Sequence, residues 1–115
     1  MERKQLERLL TGDDEASPAA LAALRGGASY VVWDGTASAD SLAKIYGRRL
    51  RHTVRKSIDT TGLDRAVQLL ARHGQPVRLG QIRAVDGSWV FMLFLSQDGS
   101  ELLACTGVRQ PSSEL

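Results

Sequence analysis

Apolar residues recur every three or four positions through the first two thirds of the chain, then give way to short runs of strand length. Leu6, Leu9 and Leu10 share one side of a helix over Glu2–Leu10, which Thr11-Gly12 ends, and Asp13-Asp14-Glu15 follow as a solvated turn. Ser17-Pro18 suits the start of a second helix, because serine caps and proline tolerates the first helical position. That helix runs to about Arg25 with Leu21 and Leu24 inward, and Gly26-Gly27 stop it. Tyr30-Val31-Val32-Trp33 is β-branched and aromatic, which predicts a strand over 29–33 closed by the turn signal Asp34-Gly35. Ser38 then caps the longest helix, over 38–57, whose stripe is Leu42, Ile45, Tyr46, Leu50, Val54 and Ile58. Thr60-Thr61-Gly62 interrupt that stripe, and Thr61 with Asp64 resembles an acidic capping box. A further helix over Leu63–His73 turns Leu63, Ala66, Val67 and Leu70 inward, and Gly74 and Pro76 end it.

The last third predicts strands over 77–84, 89–95 and 101–109. Asp86-Gly87 reads as a two-residue hairpin and Asp98-Gly99 as a second turn. The expected fold class is therefore α+β: N-terminal helices, with one short strand near 29–33, packed on a C-terminal three-stranded antiparallel meander. A single domain over 1–110 with a frayed tail over 111–115 completes the expectation.

Trp89-Val90-Phe91-Met92-Leu93-Phe94-Leu95 changes the picture, because it is apolar at every position. Side chains alternate across a strand, so Trp89, Phe91, Leu93 and Leu95 point one way and Val90, Met92 and Phe94 the other. A strand with one wet face would alternate apolar and polar residues, so this one needs a cover on each side. Burying Val90, Met92 and Phe94 is worth roughly 1.5–3 kcal/mol each. The second cover comes either from more helices of the same chain or from another copy, joined face to face or through an edge strand. On the second alternative, Val90, Met92 and Phe94 are candidate interface residues.

Composition adds limits. The chain has 115 residues, 43% apolar and 24% charged, as in an ordinary globular domain. The longest apolar run is far shorter than the ~20 residues of a membrane-crossing helix, and the charged N-terminus leads into no signal-type apolar stretch. The single cysteine, Cys105, points to a reducing, cytoplasmic setting. Twelve arginines against three lysines, with no asparagine, suit a GC-rich bacterial genome.

The net charge is only +2, but it is unevenly spread. Lys44, Arg48, Arg49, Arg51, Arg55 and Lys56, with His52, crowd the stretch from Ala43 to Ile58 along the longest helix without a single acid. Like charges at helical spacing repel, so the flank is a solvated face, a contact for an acidic partner protein, or a footprint for DNA or RNA phosphates. A helix–turn–helix places its base-reading residues on the second helix. Here most of the charge is on the first, which leaves a nonspecific phosphate contact as the nucleic-acid option.

Candidate chemistry is sparse. His52 and His73 are the only histidines, and no metal-ligand spacing is present, so neither a metal nor a cofactor is expected. Cys105 lies mid-strand, where a structural role is expected. Arg78, Gln81, Arg83 and Arg109, with Thr106, interrupt the sheet with polar groups that either discourage edge aggregation or hold an anion. Trp33, Tyr46 and Trp89 are candidate walls of a small-ligand pocket between helices and sheet. The leading expectation is a non-enzymatic interaction or accessory module, as a homodimer or with a protein partner. A nucleic-acid-binding regulator and a small-ligand-binding domain are the alternatives.

Overall fold

The structure, a computed structural model, describes residues 1–11, 16–45 and 61–109, and at 61–65 and 108–109 it describes the backbone. Helices α1 (Arg3–Leu9) and α2 (Ala16–Arg25) lead into strand β1 (Ser29–Ala37). Helix α3, described over residues 39–45, and α4 (Thr61–His73) come next, followed by β2 (Val77–Arg83), β3 (Trp89–Leu95) and β4 (Leu102–Arg109).

The class is α+β, as the sequence predicts, but the sheet is larger. All four strands join one antiparallel sheet in the order β1-β2-β3-β4, so the N-terminal strand is part of the sheet and not an addition to the helices. It also runs past Asp34-Gly35. Between Val32 and Thr36 the ladder slips, then resumes with Thr36 opposite Arg78 and Ala37 opposite Val77. A bulge takes up the extra residues where the sequence suggests a turn.

The helices are interleaved with the strands, and this answers the demand of β3. Leu6, Leu10, Ala20 and Leu24 of the α1–α2 segment pack with Ile82, Phe91, Leu93 and Cys105 on one face. Leu42 and Ala43 of α3, with Ala66 and Leu70 of α4, pack with Val77, Phe94 and Ala104 on the other. Leu93 and Phe94, neighbours in sequence, are 0% and 1% exposed in opposite clusters. Both covers thus come from one chain. Val90 and Phe94 are buried within it and Met92 is partly so, which removes the reason for a second copy on either sheet face.

Local signals explain the element ends. Gly27 adopts φ 97°, and the Ala28 and Gly27 N–H groups donate to Ala23 O and Leu24 O, at 3.0 and 3.2 Å. This left-handed stop closes α2 and aims the chain into β1. Ser38 caps α3 as expected, accepting from the Ser41 N–H at 3.4 Å. Ser17, the expected cap of α2, instead lies buried inside its first turn, and Thr61 belongs to α4 and does not precede it.

The two hairpin turns repeat one design. Gly87 N–H donates to Ala84 O at 2.9 Å, and Gly99 N–H to Ser96 O at 2.8 Å. Only the glycines have positive φ, 73° and 76°. The expected two-residue turn at Asp86-Gly87 would need positive φ at both residues. The hairpin instead uses an ordinary turn followed by a left-handed glycine, which aspartate need not strain to join. The 38–57 helix beyond residue 45 and the 111–115 tail lie outside the described residues.

Candidate functional site

A strand at the end of a sheet has backbone groups with no neighbour, and the register shows which ones. The Ala84 N–H donates to Trp89 O at 3.0 Å, so these two form a hydrogen-bonded pair. Such pairs alternate along an antiparallel ladder. Ile82 and Gly80 therefore direct their backbone groups at β3, and Arg83 and Gln81 direct theirs at β1, where Ser29 and Val31 lie opposite. Tyr30 and Val32 then aim their N–H and C=O groups out of the sheet. The regular part of this edge is Ser29 to Val32, since the ladder slips immediately after it.

One side of β1 is anchored. The Tyr30 hydroxyl donates to Met1 O at 3.2 Å, and the Arg3 guanidinium carbon lies 5.8 Å from the Tyr30 ring centre. Arg3 Nη2 also donates to Ala28 O at 3.5 Å. Val32 packs over Gly80, where an added Cβ would come 3.3 Å from the Val32 Cγ2, from the Val31 carbonyl oxygen and from Leu93 Cδ1. The residues between and beyond are open to water: Val31 is 42% exposed and Trp33 44%. Natural edges are often guarded by lysine or proline. Ser29–Ala37 contains neither, and its one charge is Asp34.

The residues singled out in the sequence are scattered. Lys44 is exposed on α3 and pairs with Asp40 at 3.2 Å, a surface contact of the kind worth about 0–1 kcal/mol. Arg48, Arg49, Arg51, Arg55 and Lys56, with Tyr46 and His52, lie outside the described residues. Trp33 falls near Gly80 on the edge strand, while Trp89 opens β3 at the far end, stacked on Phe91 with ring centres 6.2 Å apart. They are two strands and roughly 15 Å along the strands apart, at about 3.4 Å per residue.

The polar residues of the sheet also separate. Gln81, opposite Met92, and Thr106, also opposite Met92, share the α3–α4 face with Arg83. Arg78, opposite Leu95, is on the other face, and the backbone of Arg109 pairs with Trp89 at the other end of the sheet. Arg78 Nε and Thr106 Oγ1 are buried without hydrogen-bond partners. Cys105 is a buried thiol beside Leu93. Among the described residues, no three His, Cys, Asp or Glu side chains gather closely enough to hold a metal, and no helix is long and apolar enough to cross a membrane.

The carboxylates of the hairpins serve the turns. Asp98 Oδ1 accepts from the Ser100 hydroxyl at 2.7 Å, the Ser100 N–H at 3.0 Å and the Ser96 hydroxyl at 2.8 Å. These bonds, the Ser100 hydroxyl first, hold its pKa down to about 2. Ser88 lowers that of Asp86 in the same way.

Sequence reasoning found the strand at Tyr30–Trp33 but not its edge position. The available signal was a β-branched run without a flanking lysine or proline. That β1 lies at one edge of the sheet, with β4 at the other, depends on a pairing between β1 and β2, and the sequence between them includes two helices. Compared with known proteins, the chain matches no family model, no curated protein and no solved structure.

Proposed function

We propose that this chain is a non-enzymatic protein-interaction or accessory module that takes an extended protein segment along the outer edge of β1. The observation that carries this reading is the open edge itself: the outward-facing backbone of Tyr30 and Val32 beside the exposed side chains of Val31 and Trp33. Strand addition needs those two parts. Main-chain hydrogen bonds supply affinity, and alternate side chains supply selectivity. The anchored Tyr30 and Val32 keep the edge extended before anything binds, which lowers the ordering cost of association.

A photo-crosslinking amino acid at Trp33, compared with one at Gln97 in the β3–β4 turn two strands away, tests the proposal in cells. The expected result is a discrete protein adduct from position 33 that Val32→Pro abolishes, with none from position 97. Proline there removes an outward N–H and leaves the β2 ladder its own bonds. Equal adducts from both positions, or an adduct indifferent to Val32→Pro, would overturn it.

A further inference from the structure

We propose that Asp34 is a site of spontaneous backbone modification, at which its side chain and the Gly35 amide close to a cyclic imide and water reopens the ring to leave isoaspartate in β1. The chain holds three Asp-Gly pairs: Asp34-Gly35, Asp86-Gly87 and Asp98-Gly99. Glycine suits the reaction in each, because it has no Cβ to hinder its own nitrogen. Local sequence therefore ranks the three alike, and the fold separates them. The inference goes beyond the edge reading above and holds whether or not the edge receives a partner.

Water is the only co-reactant. The Gly35 nitrogen forms a bond to Asp34 Cγ, the carboxyl hydroxyl leaves, and the amide proton departs with it as water. One water then adds to either carbonyl of the ring. Opening at Cγ restores aspartate. Opening at the backbone carbonyl leaves the chain running through Cβ and Cγ, one methylene longer, with the α-carboxylate as the side group. The ring closes only where the Asp-Gly peptide can turn its nitrogen onto Cγ, and where the carboxyl carries a proton so that water leaves and not hydroxide.

Both hairpin pairs fail these conditions. Gly87 N–H donates to Ala84 O at 2.9 Å and Gly99 N–H to Ser96 O at 2.8 Å. Asp86 Oδ1 accepts from the Ser88 hydroxyl at 2.6 Å and the Ser88 N–H at 2.9 Å, and Asp98 Oδ1 accepts from Ser96 and Ser100. Turning either glycine nitrogen onto Cγ breaks these bonds together. The same bonds favour the ionised form. Asp98, held at about 2 and not at 3.8, carries its proton on the order of fifty times less often than an ordinary carboxyl.

Asp34-Gly35 has no such restraint. Both residues are exposed. They lie in the slip between Val32 and Thr36, where neither has a register partner in β2. Among the described residues, no hydrogen bond or ion pair engages the Asp34 carboxylate. A Cβ at Gly35 would meet nothing within 4 Å, so there is room for the peptide to turn. The product also alters the sheet. An added methylene lengthens the connection from Val32 to Thr36 and displaces Thr36 and Ala37 from their places opposite Arg78 and Val77.

Ageing the folded protein in heavy-oxygen water at mildly acidic pH tests the proposal, because each passage through the imide fixes one heavy oxygen at the residue. Fragment masses of the digested peptides then locate the label. Label at Asp34 is expected ahead of Asp86, and ahead of Asp98 by about tenfold or more, given the scarcity of its protonated form. An isoaspartyl peptide of unchanged sequence should separate from its parent by chromatography. In urea the three sites should converge, since the fold alone distinguishes them. Gly35→Ala fits the open space without a positive φ. It should keep the urea midpoint and remove most of the Asp34 label, because its methyl group crowds the attacking nitrogen. An Asp34 label that does not lead the hairpin sites in the folded chain, or one that survives Gly35→Ala, overturns the proposal.

Discussion

Leu93 and Phe94 offer a direct test of the two-sided core, because they are adjacent in sequence and buried on opposite faces of the sheet. Leu93 is packed in the α1–α2 cluster and Phe94 in the α3–α4 cluster. Truncating either to alanine removes buried carbon and leaves a cavity that its close-packed neighbours fill only in part. At about 0.8 kcal/mol per methylene, Leu93→Ala forfeits about 2.4 kcal/mol by transfer alone, and the cavity raises the loss to about 2–5 kcal/mol. Phe94→Ala is expected to cost about 3–5 kcal/mol by the same reasoning. Either loss is a large share of the roughly 5–15 kcal/mol that holds a domain folded. Equilibrium urea unfolding followed by tryptophan fluorescence reads it. With a slope of about 1–3 kcal/mol per molar urea, the midpoint falls by about 1 M or more. A sheet with one hydrated side would lose stability from only one of the two substitutions. A shift below about 0.5 kcal/mol for either one, the range of ordinary surface substitutions, would refute the packing of a pair of helices on each face.

Three further outcomes are expected. Gly107→Ala would bring a Cβ to 3.2 Å from the Phe91 ring and 3.6 Å from Trp89. It should cost about 1–3 kcal/mol by overpacking and shift the Trp89 emission; unchanged urea midpoint and emission would contradict the close approach. Gly27→Ala places a side chain at φ 97° and should lower stability by about 1–2 kcal/mol, whereas an unaltered midpoint would mean that α2 ends in another way. For Asp98, the folded pKa lies below the ordinary carboxylate value, so its turn bonds favour the fold above that ordinary value and the benefit disappears as pH falls through about 2. Carboxyl carbon NMR should show its midpoint near 2 and a rise on Ser100→Ala; a midpoint near 3.8 would contradict the turn geometry.

Much of the local structure is legible in the sequence. Ser38 and Gly26-Gly27 mark helix ends where they occur, because capping satisfies backbone groups within a few residues. Trp89–Leu95 is apolar at every position, and strand alternation alone then demands two covers. The signals misread are those whose meaning depends on distant neighbours. Asp34-Gly35 suits a turn by its own chemistry, yet β2 lies alongside and the ladder resumes at Thr36, so the pair becomes a bulge. Asp86-Gly87 marks a hairpin correctly, but Ala84 and Trp89 close it one step further out. Of the candidate site residues, Trp33 proves to lie on the exposed edge, whereas Arg78, Gln81, Arg83 and Thr106 divide between faces by the parity of their register.

The sequence by itself determined the α+β class, the central strand and its need for shelter on both sides, since these follow from periodicity and the cost of wetting apolar surface. Only the tertiary structure decided what provides that shelter and that β1, like β4, is left at an edge of the sheet. Both depend on where α1–α2 and α3–α4 settle relative to the sheet, and on β1 pairing with a strand some forty residues away. Such contacts are selected by the packing of the whole chain against the entropy of closing long loops, a balance that no short window of residues contains.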